Sequence, residues 1–526
     1  MSGKKIKMKK ISTTGLHFCS PVVINVTEVL CYCDIWIVWH NMCILTQRDM
    51  TPKNNVILKD KTMKNENKIY INKEMIGMIL GLAWPTMLEQ LMQTTVQYID
   101  IAMVGSLGTE ATAAVGSTGT INWLVSGSVG ALSIGFLSYI ARACGANELK
   151  KAKKAAAQAV IMVLIVGSFF SILAVGVSGK LPVWMQVDRE IQKLAGTYFL
   201  ILYAPMLFRT ASIMFGNILR AVGDTKTPMK IGILVNVLNV ILNFFFIYPT
   251  RQVVLGERTI IIQGLGKGVL GAAFASSIAF VVGGIVITIV LFRHPVISPK
   301  EEKMIPQWDL LQPCLKVAIP NMLQRFGTSL GYIFFASMIN SVGGVATAAH
   351  TIANTVESLF YIPAFGMQTA AATLAGKAYG AKSKNNMMEL TQMFIPIEVF
   401  LMFVSGSILF MVAPEFMGIF SGHKEVIGLG ATVLRMVALS EPFYGFSIIV
   451  EGFMQGVGRT KMPFVYNIIG MWGIRIIGTF LCTQIWGLGL ISAWICMILH
   501  NLFLFILYLI VYIRGSWNPL SQIQTV

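Results

Sequence analysis

Charge is what this sequence has least of. Only 12% of its 526 residues are charged, and Asp and Glu together number 24. Soluble domains carry about 25% charge, so the shortage argues against a soluble protein. The 55% hydrophobic content excludes intrinsic disorder. Cysteine offers no framework either. Four of eight (Cys19, Cys31, Cys33, Cys43) fall in the first 43 residues, and Cys144, Cys314, Cys482 and Cys496 stand singly, so no zinc or disulfide spacing appears in the main body. HExxH and paired catalytic acids at a membrane face are missing too, which leaves an enzyme without a candidate centre. The net charge of +17 invites a nucleic-acid reading. However, Lys and Arg lie in short clusters between apolar runs, as in membrane-protein loops, and no nucleic-acid partner is expected.

What is present is apolar sequence in long runs. At roughly 20 apolar residues per span, the chain holds about twelve transmembrane helices. From Met75 the runs fall near 75–104, 112–142, 155–178, 195–221, 229–249, 267–292, 315–341, 349–376, 389–412, 429–456, 464–484 and 488–513. Alternate loops differ in charge. One set, with the tail, carries seventeen Lys and Arg, including Arg142, Lys150, Lys151, Lys377 and Arg459; the other carries seven. The positive-inside rule places the first set and both termini in the cytoplasm, with the chain crossing the plasma (inner) membrane.

Residues 1–70 read differently. A basic MSGKKIKMKK run is followed by a mixed stretch with Glu28, Asp34 and the clustered cysteines. His17, Cys19, Cys31, Cys33, His40 and Cys43 match no defined zinc spacing. A thirteenth span over 22–45 is spoiled by its acids, and no clean apolar core precedes a cleavage site. The favoured reading is a dispensable, poorly ordered extension.

The remainder repeats itself. Residues 84–114 align without a gap to 319–349 at an offset of 235, with ten of 31 positions identical. The same offset pairs VGDTKTP (222–228) with VGRTKMP (457–463). Six spans per copy is an even number, so the copies face the same way. The expected fold is all-α and integral to the membrane: 12 transmembrane helices in two parallel six-helix repeats, an N lobe (71–293) and a C lobe (313–515). A polar linker (294–312) joins them, a tail (516–526) follows, and a substrate site lies between them. In the repeated loops, Gly223 and Gly458 suit left-handed helix ends, Pro228 suits a first helical turn, and Thr227 is a candidate N-cap.

Intramembrane polar residues are the default functional candidates. The first span carries Glu89, Gln93, Gln97 and Asp100. At 100° per residue Glu89 and Asp100 lie about 20° apart, with Gln93 close to both, so they form one stripe. On the fifth span Asn236, Asn239 and Asn243 share a face. The second half carries Glu357, and Glu451 one turn from Gln455. These could face a cationic substrate, or could pair with Arg325, Arg435 or Arg475.

These features resemble the MATE (multidrug and toxic compound extrusion) family of drug/cation antiporters. The resemblance rests on Pro85 with YIDIAMVGSLG around Asp100 fifteen residues on, and on the loop from Gly145 to Lys151. LRAVGDTKTP (219–228), NVLNVILNFFFI (236–247) and GVLGAAFASS (268–277) complete it. It implies export of amphiphilic or cationic small molecules in exchange for H⁺ or Na⁺, with no other cofactor, by a monomer in the lipid bilayer. It also implies a coupling-ion site at Asp100 with Asn239, Asn243 and Ser276, near Gln93 and Gln97, and a hinge at Pro85. The tentative substrate cavity is Glu89, Glu357, Glu451 and Gln455. Asn243 stands where some members have Asp, which leaves Asp100 as the sole acid there. Its repeat mate is Phe335, so the ion site belongs to the N lobe alone. A lipid-linked precursor flippase of the same superfamily is the alternative.

Overall fold

A computed structural model describes residues 73–522, apart from 186 and 256–257. The readings made for residues 1–70 lie outside the described residues. The first half contains α1 (Lys73–Gly105), α2 (Thr109–Gly145), α3 (Leu149–Val177), the single turn α4 (Leu181–Trp184), α5 (Arg189–Tyr203), α6 (Met206–Val222), α7 (Lys226–Phe246) and α8 (Gly268–Arg293). The second contains α9 (Trp308–Asn340), α10 (Gly344–Gly380), α11 (Lys384–Phe420), α12 (Lys424–Ala438), α13 (Glu441–Gly456), α14 (Lys461–Ile485) and α15 (Leu490–Ile513).

Eight of these helices are long and apolar enough to cross a membrane, or ten if each bent pair counts as one span. The pairs are α5–α6, bent by 47°, and α12–α13, bent by 53°. In the first, Pro205 stands in the break and cannot continue the hydrogen-bond ladder. In the second, Pro442 opens the new helix. Apolar side chains point outward along the spans, for example Leu164, Ile165, Phe169 and Ile172 on α3. An exposed belt of this kind suits lipid rather than water.

Helix starts recur at the sequence offset. Lys73 and Trp308, Thr109 and Gly344, Leu149 and Lys384, Arg189 and Lys424, Met206 and Glu441, and Lys226 and Lys461 are each 235 residues apart. One helix departs from its counterpart in winding. Within α14 the stretches Ile469–Ile476 and Leu481–Ile485 are π-helical, whereas α7 is an α-helix throughout.

Two expectations are corrected. The chain is not wholly α-helical: between α7 and α8 an antiparallel hairpin joins β1 (Pro249–Leu255) to β2 (Arg258–Leu265), pairing Val253 with Ile260 and Leu255 with Arg258. Its β-branched VV and TIII runs, bounded by Pro249 and Gly264, favour strand over loop. Thr227 is also not the N-cap of α7. The helix starts at Lys226 with Thr225 in the N-cap position, and the Asp224 carboxylate just before it accepts from the Thr227 amide at 3.0 Å. Gly223 and Gly458 do end their helices, at φ of 100° and 85°.

Candidate functional site

The first-span stripe divides into two places. Near the C-terminal end of α1, Asp100 Oδ1 accepts from Asn243 Nδ2 at 2.5 Å. That amide also donates to Asn239 Oδ1 at 3.0 Å, and Asn239 Nδ2 donates to Ser276 Oγ at 2.9 Å. Asp100, Asn239, Asn243 and Ser276 thus form one chain across α1, α7 and α8. The i, i+4 spacing of the two Asn residues puts them on one face, and α7 packs against both α1 and α8. Asn243 is fully buried, and its own Oδ1 has no hydrogen-bond partner. A buried acceptor left open beside a carboxylate is what a proton-bearing group or a small hard cation satisfies. Gln93 and Gln97 are exposed and make no recorded hydrogen bond to this chain.

Three turns earlier, Glu89 belongs to a different structure. Its Oε2 lies 2.5 Å from Arg220 Nη2 on α6, and both side chains are 11% exposed. Asn217 Oδ1 holds the other arm of the guanidinium at 2.8 Å. A buried pair is costly to half-remove, because the survivor keeps its desolvation penalty. Glu89→Ala and Arg220→Ala are each expected to cost about 3 kcal/mol of stability, and the double variant less than their sum. Thermal melts in detergent check this; additive losses would show that the pair is not coupled.

Pro85 lies inside a continuous α1, buried, with Thr86 Oγ1 bonded to the Leu82 carbonyl at 3.2 Å. Just beyond it, Gly366 of α10 lies against the Met87 backbone with no room for a side chain. Tyr98 adds a tie that sequence reasoning missed: its hydroxyl reaches the Thr355 carbonyl at 3.3 Å and Ser358 Oγ at 3.4 Å.

In the second half, Glu451 is buried and accepts from four donors. Gln324 and Gln455 each donate to Oε1 at 3.0 Å, while Asn467 (3.2 Å) and Tyr508 (3.1 Å) donate to Oε2. None of the arginines considered as partners is in ion-pair contact with it among the described residues. Arg435 reaches the Phe410 carbonyl, Arg475 lies over the Tyr332 and Phe335 rings, and Arg325 over Phe365. Gln324 and Gln455 are 235 residues from Glu89 and Arg220, a spacing that could have located this second node; nothing in the sequence pointed to Tyr508. Glu357 is buried on α10, within electrostatic reach of Arg475 and apart from the Glu451 node.

A nearly all-helical bundle with an apolar exterior and interior carboxylates held by amides is the build of a multi-pass membrane transporter. The MatE family model matches twice, over residues 85–245 and 320–481. The chain belongs to the MatE family. It is similar to the probable multidrug resistance protein NorM of Thermotoga maritima, 27% identical over 86% of this chain and 96% of the relative. Among solved structures, an outward-facing multidrug resistance MATE transporter of the MOP superfamily superposes with a TM-score of 0.78 at 25% identity, covering 85% of this chain and 96% of that one. A MOP superfamily transporter from Pyrococcus furiosus shares the fold, also with a TM-score of 0.78, at 24% identity and the same coverage. The lipid-linked precursor flippase finds no support in these matches.

Proposed function

We propose that this protein is a secondary multidrug efflux antiporter of the plasma (inner) membrane, exporting amphiphilic and cationic compounds in exchange for H⁺ or Na⁺. In this reading two six-helix lobes, twelve spans in all, rock about a site between them, with both termini cytoplasmic. The observation that carries it is the Asp100–Asn243–Asn239–Ser276 chain: a single membrane-embedded carboxylate braced by amides, with an open acceptor beside it. In a chain of this family, a carboxylate there serves as the loading point for the coupling ion.

The cycle follows from charge. Ion uptake at Asp100 neutralises the carboxylate and weakens its hold on Asn243. The first span then shifts relative to α7, with Pro85 as the weak point of its ladder. Affinity for the bound amphiphile falls, the drug leaves outward, and the neutralised lobe closes and carries the ion inward. Reconstitution in proteoliposomes with ethidium tests this. Imposed proton or sodium gradients are each expected to be screened, and one of them drives dye movement. Dye transport indifferent to both gradients would remove antiport.

A further inference from the structure

The end of the bundle assigned to the cytoplasm carries a second piece of machinery, built from residues 235 apart. Lys377 Nζ, at the end of α10, donates to the Val222 carbonyl at 2.9 Å. That carbonyl is one of the last on α6, where Gly223 turns left-handed. The counterpart of Lys377 is Arg142, at the end of α2, and the counterpart of Gly223 is Gly458, which ends α13. Arg142 makes the mirrored reach: its Nη1 lies 3.1 Å from where a side chain on Gly458 would begin. Ser138, one turn before Arg142, donates to the Gly456 carbonyl at 2.9 Å. Arg142 bonds its own helix, Nε to the Ser138 carbonyl at 3.1 Å, and lies against the end of α13. Each half thus places a cation at the C-terminus of a helix in the other half, where the helix dipole attracts positive charge.

The backbones between these cations are nearly in contact. Gly145 abuts the Lys377 carbonyl, and Gly380 abuts the Arg142 carbonyl, with no room for a Cβ at either. The core cluster at this end is shared too: Ala141, Leu219 and Ala221 meet Leu311, Cys314 and Ala372.

We propose that Arg142 and Lys377 are paired gate-positioning residues of the transport cycle, Lys377 capping α6 by a hydrogen bond and Arg142 set against the end of α13, so that the cytoplasmic end is held shut. This rests on the alternating-access reading above. Opening inward releases both contacts together, since the two halves share one seam. The halves of the latch differ in strength. Lys377 finds its acceptor, whereas Arg142 Nη2 is buried with no partner. An unpaired buried donor penalises the closed state, which keeps the latch reversible. Lys377 is therefore the stronger member.

Nitroxide labels at Lys150→Cys and Asn385→Cys report the opening; both positions are exposed helix starts beside the seam. They are introduced into a version whose native cysteines are serine and which still melts cooperatively. Lys377→Met is expected to raise the open-to-closed ratio roughly tenfold, the value of one charge-assisted hydrogen bond. Arg142→Met shifts it less, and Lys377→Arg stays close to wild type. Unchanged distances in both Met variants overturn the proposal. So does a Lys377→Arg variant that opens as far as Lys377→Met, because the cap depends on the cation. The labels need no transport to be read. A wild-type protein that moves no dye therefore counts against the antiport reading, while the distances decide the latch separately.

Discussion

Asp100→Asn is expected to bring gradient-driven efflux to background while the protein stays folded. Asn is nearly isosteric, and its Oδ1 accepts the Asn243 bond as the carboxylate does, so the chain through Asn239 to Ser276 survives. Replacing a charged acceptor by a neutral one costs about 1 kcal/mol of stability, well below the loss that unfolds a membrane bundle. What disappears is the ability to change charge, and the conformational bias that charge supplies disappears with it. Asn holds the neutral, ion-loaded state, so dye affinity in detergent should fall toward that of the loaded protein. The measurement pairs ethidium efflux from pump-deficient cells with a binding titration on purified protein. Undiminished efflux would remove Asp100 from the mechanism. Dye affinity that stays at the wild-type value would show that neutralising Asp100 does not weaken substrate binding.

The sequence was most legible where the signal is periodic. Apolar runs located most of the helices, although 195–221 and 429–456 each fold as two helices bent by 47° and 53°. Six helix starts recur at the offset of 235 that the sequence repeats show. The Asn239–Asn243 spacing needs only helical geometry, so it was visible at once. What stayed hidden depends on contacts across helices. Glu89 and Asp100 share a face of α1, yet one meets α6 and the other α7, because 11 residues of helix separate them by about 16 Å along the axis. Gln455, one turn from Glu451 on α13, was visible, but the other three partners come from α9, α14 and α15, and no local pattern joins three helices. The hairpin escaped for a different reason: 250–266 falls between two apolar runs and reads as a connecting loop carrying Arg251 and Arg258, and hydropathy gives no weight to the β-branching of its VV and TIII runs.

Glu451→Ala is expected to be among the most destabilising single changes in the protein, about 3–5 kcal/mol, whereas Glu451→Gln costs about 1 kcal/mol. Removing the carboxylate strands the Gln324 and Gln455 amides, each of which has Oε1 as its recorded acceptor. Asn467 suffers less, since its amide also reaches the Pro463 carbonyl at 2.9 Å and Tyr508 at 3.2 Å. A Gln keeps an oxygen for the first two donors, and the Tyr508 hydroxyl can turn to accept from its new amide. Melting temperatures of the two variants give the ordering directly. The repeat explains why the node exists. In the first half, Glu89 and Arg220 fill the space beside Gly232 and Gly216. In the second, the counterparts of the charged pair are Gln324 and Gln455, and the counterparts of the two glycines are Asn467 and Glu451. The acid has moved from the first helix of the repeat to the fourth, and its cation has been replaced by neutral donors. A buried carboxylate with four donors is bound by its own protein, so Glu451→Gln should leave ethidium affinity unchanged. A Gln variant with wild-type melting but lost dye affinity would assign the carboxylate to the substrate.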